Sequence, residues 1–126
     1  MIDVAAAVLE NDEGKILVAK RKKGKKLGGF WEFPGGKIEE GETPEETLKR
    51  ELREEMNVEI KVGEYLGENV HCYEDFAIRL MAYRAKIVGG EIKLSDHEEY
   101  LWVEAGELAK VNLAPADIPL VRLLLK

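Results

Sequence analysis

Apolar residues occur along this chain mainly in short runs separated by polar turns, a pattern typical of β-strands. Residues 4–9 form the first run, residues 10–14 predict a turn, and residues 15–20 predict a second strand, so the first two strands are expected to form a hairpin. A brief extended piece is expected at residues 31–33, ending in a Pro-Gly-Gly turn. Longer strands are predicted over residues 58–65, 76–88 and 100–103.

A helix is predicted over residues 44–56. Thr43 is a suitable N-cap, and Glu46, three residues later, completes the pattern of a capping box. Asn57 is expected to end the helix, because Asn tolerates the left-handed conformation that a helix end often needs. Apolar residues at four-residue spacing predict the buried face: Leu48, Leu52 and Met56.

The order of the predicted elements indicates the fold class. A second, strongly apolar helix is expected at residues 119–125, where it would dock onto the sheet. Strands mixed with two helices, without a regular βαβ repeat, indicate an α+β fold, an α/β/α sandwich around a mixed β-sheet. With 126 residues, the chain has the length of one domain, so residues 1–126 are expected to form a single domain.

Composition narrows the functional classes. The formal net charge of −6 argues against a protein that binds polymeric nucleic acid, since such proteins neutralise phosphates with Lys and Arg. Six basic residues nevertheless fall within residues 20–26, which predicts either a phosphate-binding loop or simply a solvated one. Cys72, the single cysteine, is expected to be a small buried side chain. No membrane span and no signal peptide are predicted, and a cytoplasmic location is expected.

Three glutamates of the predicted helix are candidates for metal binding. Glu51, Glu54 and Glu55 fall within an arc of about 100° on the helix surface. Their mutual repulsion destabilises the helix, and a divalent cation such as Mg²⁺ or Mn²⁺, which prefers oxygen ligands, would remove that cost. The alternative is a solvated acidic face, partly balanced by neighbouring basic residues: Lys49, Arg50 and Arg53.

The spacing around this helix resembles a known signature. Gly36 is followed after five residues by Glu42, then after seven by the run Arg50–Glu55, and Val58 closes the pattern. This arrangement resembles the Nudix signature, with one departure at Asn57, where the family usually has Gly. The chain as a whole resembles the MutT-like nucleoside triphosphate pyrophosphohydrolases, and within them the CTP pyrophosphohydrolases. The segments that carry this resemblance are residues 31–37, 62–65 and 113–119.

The resemblance implies a Nudix fold and a Mg²⁺-dependent attack of water on a diphosphate linkage, with Mn²⁺ as a possible substitute. It implies that Glu54, Glu55 and the carbonyl of Gly35 bind metal, and that Glu51 is a further ligand or the general base. In some family members the base instead lies on a loop before the last strand. The candidates in this chain are Asp96, Glu98 and Glu99, with Glu98 preferred. Arg50 is expected to orient a carboxylate of the helix together with Glu42.

The same resemblance implies residues for the substrate. Arg21 and Lys37 match phosphate-binding positions, and Phe33 matches a base-contacting position, with Phe76 or Tyr73 on the other face. Two further interpretations stay open. The phenylalanines are equally plausible as core residues, and Asp117 is plausible both as an acceptor for an amino-bearing base and as the N-cap of the last helix.

The expected reaction is hydrolysis of a nucleoside triphosphate to the monophosphate and pyrophosphate. CTP or a modified pyrimidine triphosphate is the leading substrate, followed by 8-oxo-dGTP. A nucleoside diphosphate sugar hydrolase and a non-catalytic Nudix-fold binding module are the alternatives. No membrane partner is expected, and the protein is expected to be a monomer or a homodimer. His71 and His97 are too isolated to predict a His-based metal site.

Overall fold

The computed structural model describes residues 1–125. It contains seven strands, an α-helix of 13 residues, and short helical segments near the C-terminus. The strands are β1 Ile2–Leu9, β2 Ile16–Arg21, β3 Trp31–Glu32, β4 Gly35–Lys37, β5 Val58–Cys72, β6 Ala77–Gly90 and β7 His97–Val103. The helices are α1 Pro44–Met56, 3₁₀ helices at Ala105–Lys110 and Ile118–Leu120, and α2 Val121–Leu124.

The strands form two sheets. One is mixed, in the order β4-β1-β6-β5, with β1 and β6 parallel, and the other is antiparallel, in the order β3-β2-β7. The predicted hairpin between the first two strands is therefore wrong. Each of these strands is central in its own sheet and pairs on both edges with other strands, so within residues 1–125 the ends of the two join through a single isolated bridge, between Glu10 and Ile16.

Helix α1 has the predicted bounds and caps. Thr43 accepts a hydrogen bond from the backbone of Glu46, whose side chain in turn accepts from the backbone of Thr43, so the capping box is complete. Asn57 is left-handed, with φ 60° and ψ 33°, and its backbone N–H bonds back to the last turn. This conformation confirms the prediction that Asn57 ends the helix.

The core lies on both sides of the sheets, which confirms the predicted α+β sandwich. On one side, the apolar face of α1 packs on alternate residues of β1 and β2, with Leu48, Leu52 and Met56 fully buried. On the other side, the C-terminal segments cover the opposite faces of the same strands, with Leu108 and Leu120 buried among them. Because both faces of the sheet are covered, residues 4–9 of β1 are all apolar and do not alternate with polar residues.

Several boundaries differ from the predictions. The chain forms strand β4 at Gly35–Lys37, where a turn was expected, because this segment pairs with β1. Strand β5 continues to Cys72, since bulges let it follow β6, and this edge position leaves Cys72 exposed rather than buried. The expected C-terminal helix is a 3₁₀ turn followed by only four α-helical residues. Across the described residues, the helices are too short or too polar to cross a bilayer.

Candidate active site

Two glycines let the edge strand β4 approach its neighbours closely, Gly35 toward strand β1 and Gly36 toward helix α1. A Cβ on Gly35 would lie 2.0 Å from the carbonyl oxygen of Ala5, and a Cβ on Gly36 would lie 2.4 Å from Cδ of Glu51. At Gly35 the contact is with backbone, so this position requires glycine, whereas a side chain at Gly36 would have to displace the Glu51 carboxylate. The backbone of β4 therefore runs directly beside the Glu51 carboxylate.

A half-buried ion pair joins the loop before α1 to the middle of the helix. The Arg50 guanidinium donates from Nε to Oε2 of Glu42 at 2.8 Å and from Nη2 to Oε1 at 3.0 Å, a bidentate pair. Glu42 also accepts from the Thr47 hydroxyl and the Glu39 backbone. The Arg50 hydrogen bonds lower the pKa of Glu42 to about 2, and the carboxylates raise the pKa of Arg50.

The three candidate metal-binding carboxylates lie side by side but differ in environment. Arg50 Nη1 donates to Glu51 Oε1 at 2.8 Å and lies 3.6 Å from the largely exposed carboxylate of Glu54. Glu55 is only 6% exposed, and its Oε2 has no hydrogen-bond partner among the described residues. Burial, followed by the hydrogen bond and charge of Glu51, raises the pKa of Glu55 to about 10. Within residues 1–125, no three acidic, His or Cys side chains converge closely enough to hold a metal ion.

A cavity of about 250 Å³ opens beside Gly35 and Gly36. It is lined by residues from β1, the loop after β2, β3 and β4, the segment around residue 76, and the chain before α2. All six side chains that the sequence suggested for substrate binding line this one cavity: Arg21, Phe33, Lys37, Tyr73, Phe76 and Asp117. The structure therefore brings together residues that are up to 96 positions apart in the sequence, from 21 to 117.

Asp117 does not cap the last helical segment. Its side chain makes no capping hydrogen bond, and its Oδ2 instead accepts from the backbone N–H of Phe33 at 3.0 Å. The residue is 5% exposed, and burial, followed by the charge of Glu32, raises the pKa of its carboxyl well above the usual value. The N-cap interpretation is wrong because the carboxyl is turned inward, toward the cavity.

Aromatic and basic side chains also line the cavity. Tyr73 and Phe76 stack with ring centroids 4.9 Å apart, and Lys26 places its ammonium 4.0 Å from the Phe76 centroid. Phe33 is 3% exposed and belongs to the core while also lining the cavity. The two interpretations of Phe33, as a core residue and as a base contact, are thus compatible.

A second polar network was not anticipated from the sequence. Arg21 Nη1 lies 3.3 Å from each carboxylate oxygen of Glu32, and Nε2 of the buried His97 lies 2.9 Å from Glu32 Oε2. Glu32 also lines the cavity. The available signal was the position of Glu32 inside the motif at residues 31–37, between an apolar Trp and a Phe.

The acids near the last strand are placed differently from one another. Asp96 lies in the loop, pairs with Lys25 at 3.9 Å, and is near enough to Glu55 to raise its pKa. Glu98 and Glu99 belong to strand β7 rather than to the preceding loop, and both pair with Lys20, at 3.6 and 3.9 Å. Neither lines the cavity.

The loop before β7 is tied to the end of helix α1. The Ser95 backbone N–H donates to the carbonyl of Glu55 at 3.0 Å, and its hydroxyl donates to the carbonyl of Glu54 at 2.9 Å. Lys22, in the loop that follows β2, donates to the Ser95 carbonyl at 2.8 Å. These contacts hold the loop after β2, the β6–β7 loop and the end of α1 that carries Glu54 and Glu55 close together.

Comparisons with known proteins agree with this arrangement. A model described as the NUDIX domain matches residues 2–124. The chain is 40% identical over 121 residues to the CTP pyrophosphohydrolase of Escherichia coli, covering 96% of this chain and 89% of the relative. It is 34% identical over 135 residues to the 8-oxo-dGTP diphosphatase of Haemophilus influenzae, covering 99% and 92%. The solution structure of the E. coli ORF135 protein is similar with a TM-score of 0.86 and 38% identity, covering 99% of this chain and 89% of that one. The chain therefore belongs to the Nudix domain family, as its helix signature and its fold both indicate.

Proposed function

We propose that this Nudix hydrolase cleaves a nucleoside triphosphate to the monophosphate and pyrophosphate, with CTP or a modified pyrimidine triphosphate as its leading substrate. The observation that carries the proposal is the single cavity, which combines two cations for phosphates, aromatic and carboxyl groups for a base, and the β4 backbone beside Glu51. The relatives named as a CTP pyrophosphohydrolase and an 8-oxo-dGTP diphosphatase support a nucleotide substrate.

Hydrolases of this family generally use divalent metal ions, and we propose Mg²⁺, with Mn²⁺ able to replace it. Although the three carboxylates do not converge within residues 1–125, their chemistry fits such an ion, because Glu55 buries a carboxylate oxygen without a partner beside Glu51. Glu51, Glu54, Glu55 and the carbonyl of Gly35 would hold it. When bound, the ion supplies positive charge that stabilises the reacting phosphate oxygens.

The remaining residues orient the reacting groups. Arg50, fixed by Glu42, holds one oxygen of Glu51 in place, which leaves the other oxygen directed at the β4 backbone. We assign Glu51 as the group that accepts the proton of the attacking water, within the general-base chemistry expected of a carboxylate. Both Asp96 and Glu98 pair with a lysine, but the charge of Asp96 also acts on Glu55, which favours Asp96 over Glu98 among the acids near β7.

Arg21 and Lys37 would bind the phosphates, and Asp117, which lines the same cavity, would contact the base. The Phe33 backbone occupies only Oδ2 of Asp117, and Oδ1 accepts no hydrogen bond from the described residues. An acceptor in this place suits the exocyclic amine of cytosine. It equally suits the amino and imino groups of a guanine-type base, so 8-oxo-dGTP is the second candidate substrate, supported by the relative of that name.

A product-resolved screen tests the proposal. The purified protein is incubated with CTP, dCTP, UTP, 8-oxo-dGTP and a nucleoside diphosphate sugar, with Mg²⁺, Mn²⁺ or chelator, and the products are separated by anion exchange. We expect monophosphate and pyrophosphate from a triphosphate, only with metal present. Glu54→Gln should abolish most of this activity, whereas Glu45→Gln, on the exposed first turn of the same helix, should not. Release of inorganic phosphate, or cleavage of the sugar nucleotide alone, would contradict the proposal.

A further inference from the structure

His97 is a buried histidine that no part of the proposed reaction uses directly. It is 3% exposed and directs Nε2 at the carboxylate of Glu32, at 2.9 Å. Because a carboxylate oxygen only accepts, Nε2 is the donor of this hydrogen bond. Nδ1 is buried and has no hydrogen-bond partner among the described residues, an arrangement that costs stability. The residue is thus poorly explained as a simple core-filling side chain.

Three adjacent strands place His97, Glu32 and Arg21 on one face of the small sheet. Arg21 of β2 is the register partner of His97 in β7, and Glu32 of β3 is the register partner of Ala19, two residues before Arg21. Since side chains two residues apart along a strand share a face, all three side chains lie on the same side. The contact among them follows from strand pairing together with a register shift between Lys20 and Arg21, which sets His97 rather than Glu98 opposite Arg21.

The guanidinium of Arg21 is held on two edges. Nη1 lies 3.3 Å from both oxygens of Glu32, and Nε donates to the carbonyl of Lys26 at 2.7 Å. Among the described residues, Nη2 of Arg21 has no protein acceptor, and Arg21 lines the cavity. A guanidinium fixed in this way presents one N–H₂ group to a substrate oxygen at little further cost in conformational entropy.

We propose that His97 is a positioning residue, which through Nε2 fixes the Glu32 carboxylate and thereby orients Arg21 for the substrate's phosphate groups. The inference rests on the proposed function, since it assigns Arg21 to phosphate binding. Its basis is the hydrogen-bonded series from the buried ring through Glu32 to the cavity. Without the His97 donor, the Glu32 carboxylate would rotate, and Nη1 of Arg21 would lose its contacts with the two carboxylate oxygens.

The test compares His97→Gln with His97→Leu. The Gln side chain can place a donor near the position of Nε2, whereas Leu fills the space without one. Val103→Ala, a packing change elsewhere in β7, is the control for general loss of stability. Binding of inorganic tripolyphosphate is followed by tryptophan fluorescence in a Trp102→Phe background, where Trp31, the neighbour of Glu32, is the remaining tryptophan. Hydrolysis is followed separately as KM and kcat for CTP with Mg²⁺.

We expect His97→Leu to weaken tripolyphosphate binding and raise KM by about tenfold or more, the effect of one charge-assisted hydrogen bond, with kcat changed much less. His97→Gln should recover most of the loss, and Val103→Ala should lower the unfolding midpoint without changing binding. In an Arg21→Ala background, His97→Leu should have little further effect, since both changes act on one contact. If His97→Leu folds poorly, Glu32→Gln should weaken tripolyphosphate binding in the same way.

The contrary outcomes are distinct. Equal binding by the wild-type protein and His97→Leu would overturn the inference, and so would equal loss of binding in the Leu and Gln variants. An undiminished effect of His97→Leu in the Arg21→Ala background would also overturn it, as would a wild-type protein that binds no tripolyphosphate. A wild-type protein that binds tripolyphosphate in a His97-dependent way but releases no pyrophosphate from any nucleotide would refute the proposed function and leave the inference standing.

Discussion

The replacement of Asp117 by Asn is the most informative perturbation of the proposed base site. The backbone N–H of Phe33 donates to one oxygen of the Asp117 carboxyl at 3.0 Å. In Asp117→Asn, the amide oxygen should keep that hydrogen bond, since a backbone N–H needs an acceptor. The amide N–H₂ is then forced into the place of Oδ1, at the cavity. The variant therefore changes an acceptor into a donor without changing the shape of the site.

This exchange predicts an inversion of preference between cytosine and uracil nucleotides. Cytosine carries an amine where uracil carries a carbonyl. The introduced amide N–H₂ would therefore face another donor in cytosine, whereas it would donate a hydrogen bond to the carbonyl of uracil. One such polar contact in a buried site contributes about 1–3 kcal/mol, which corresponds to roughly 5- to 150-fold in kcat/KM. We expect kcat/KM for CTP to fall within this range and that for UTP to rise, so that their ratio changes by the product of the two effects.

The assay is the measurement of kcat/KM for CTP, dCTP, UTP and 8-oxo-dGTP in the wild-type protein and in Asp117→Asn. Asp117→Ala is the matched control, because it removes the acceptor without adding a donor and should reduce discrimination without inverting it. A uniform decrease for all four nucleotides in Asp117→Asn would refute the reasoning. It would show that the Asp117 carboxyl supports the Phe33 backbone and does not contact the base.

The same variant gives a prediction for stability against pH. Because burial raises the pKa of Asp117 in the folded protein, the folded state binds its proton more tightly than the unfolded state does. The stability contribution is then greatest below the unfolded pKa of about 3.9 and decreases as pH rises toward the raised folded pKa. Asn cannot ionise, so urea unfolding should show Asp117→Asn gaining stability relative to wild type as pH rises above about 4. An unchanged difference across pH would contradict the buried position of the carboxyl.

Three further changes test the catalytic helix and its surroundings. Glu55→Gln should lower activity by orders of magnitude. It should leave the unfolding midpoint measured without metal nearly unchanged, because Gln resembles the protonated carboxyl that a pKa of about 10 implies. Wild-type activity in this variant would exclude Glu55 as a metal ligand. Asn57→Gly should be neutral, whereas Asn57→Val should cost about 1 kcal/mol or more in urea unfolding, since a β-branched residue resists positive φ. Gly36→Ala should displace the Glu51 carboxylate and reduce kcat strongly, and full activity would show that this close approach is dispensable.

The prediction of helix α1 from the sequence was accurate because its determinants are local. The capping box, the apolar spacing and the left-handed terminus all lie within residues 43–57, and each depends on contacts between residues that are close in the sequence. The fold class was also predictable from the mixture of elements. The pairing of the first two strands was predicted wrongly, because a run of apolar residues shows that a strand is buried but not which strand it pairs with.

The candidate site likewise contains a part that was predictable from local sequence and a part that depends on contacts between distant residues. The sequence by itself determined that Glu51, Glu54 and Glu55 share one helix face, because helical periodicity fixes their relative directions. Only the tertiary structure decided that Glu32 and His97 belong to the site, since they reach Arg21 through pairing of three strands that are distant in the sequence.

Burial was also decided by the tertiary structure. Sequence spacing places Asp117 before a helical segment, and local rules therefore predict a cap. Packing instead turns its carboxyl inward to the backbone of Phe33, 84 residues away, and withdraws it from solvent. Removal from water and the nearby charge of Glu32 then raise its pKa. The sequence gives the identity of a titratable residue, but the pKa of that residue depends on neighbours that come together only in the folded protein.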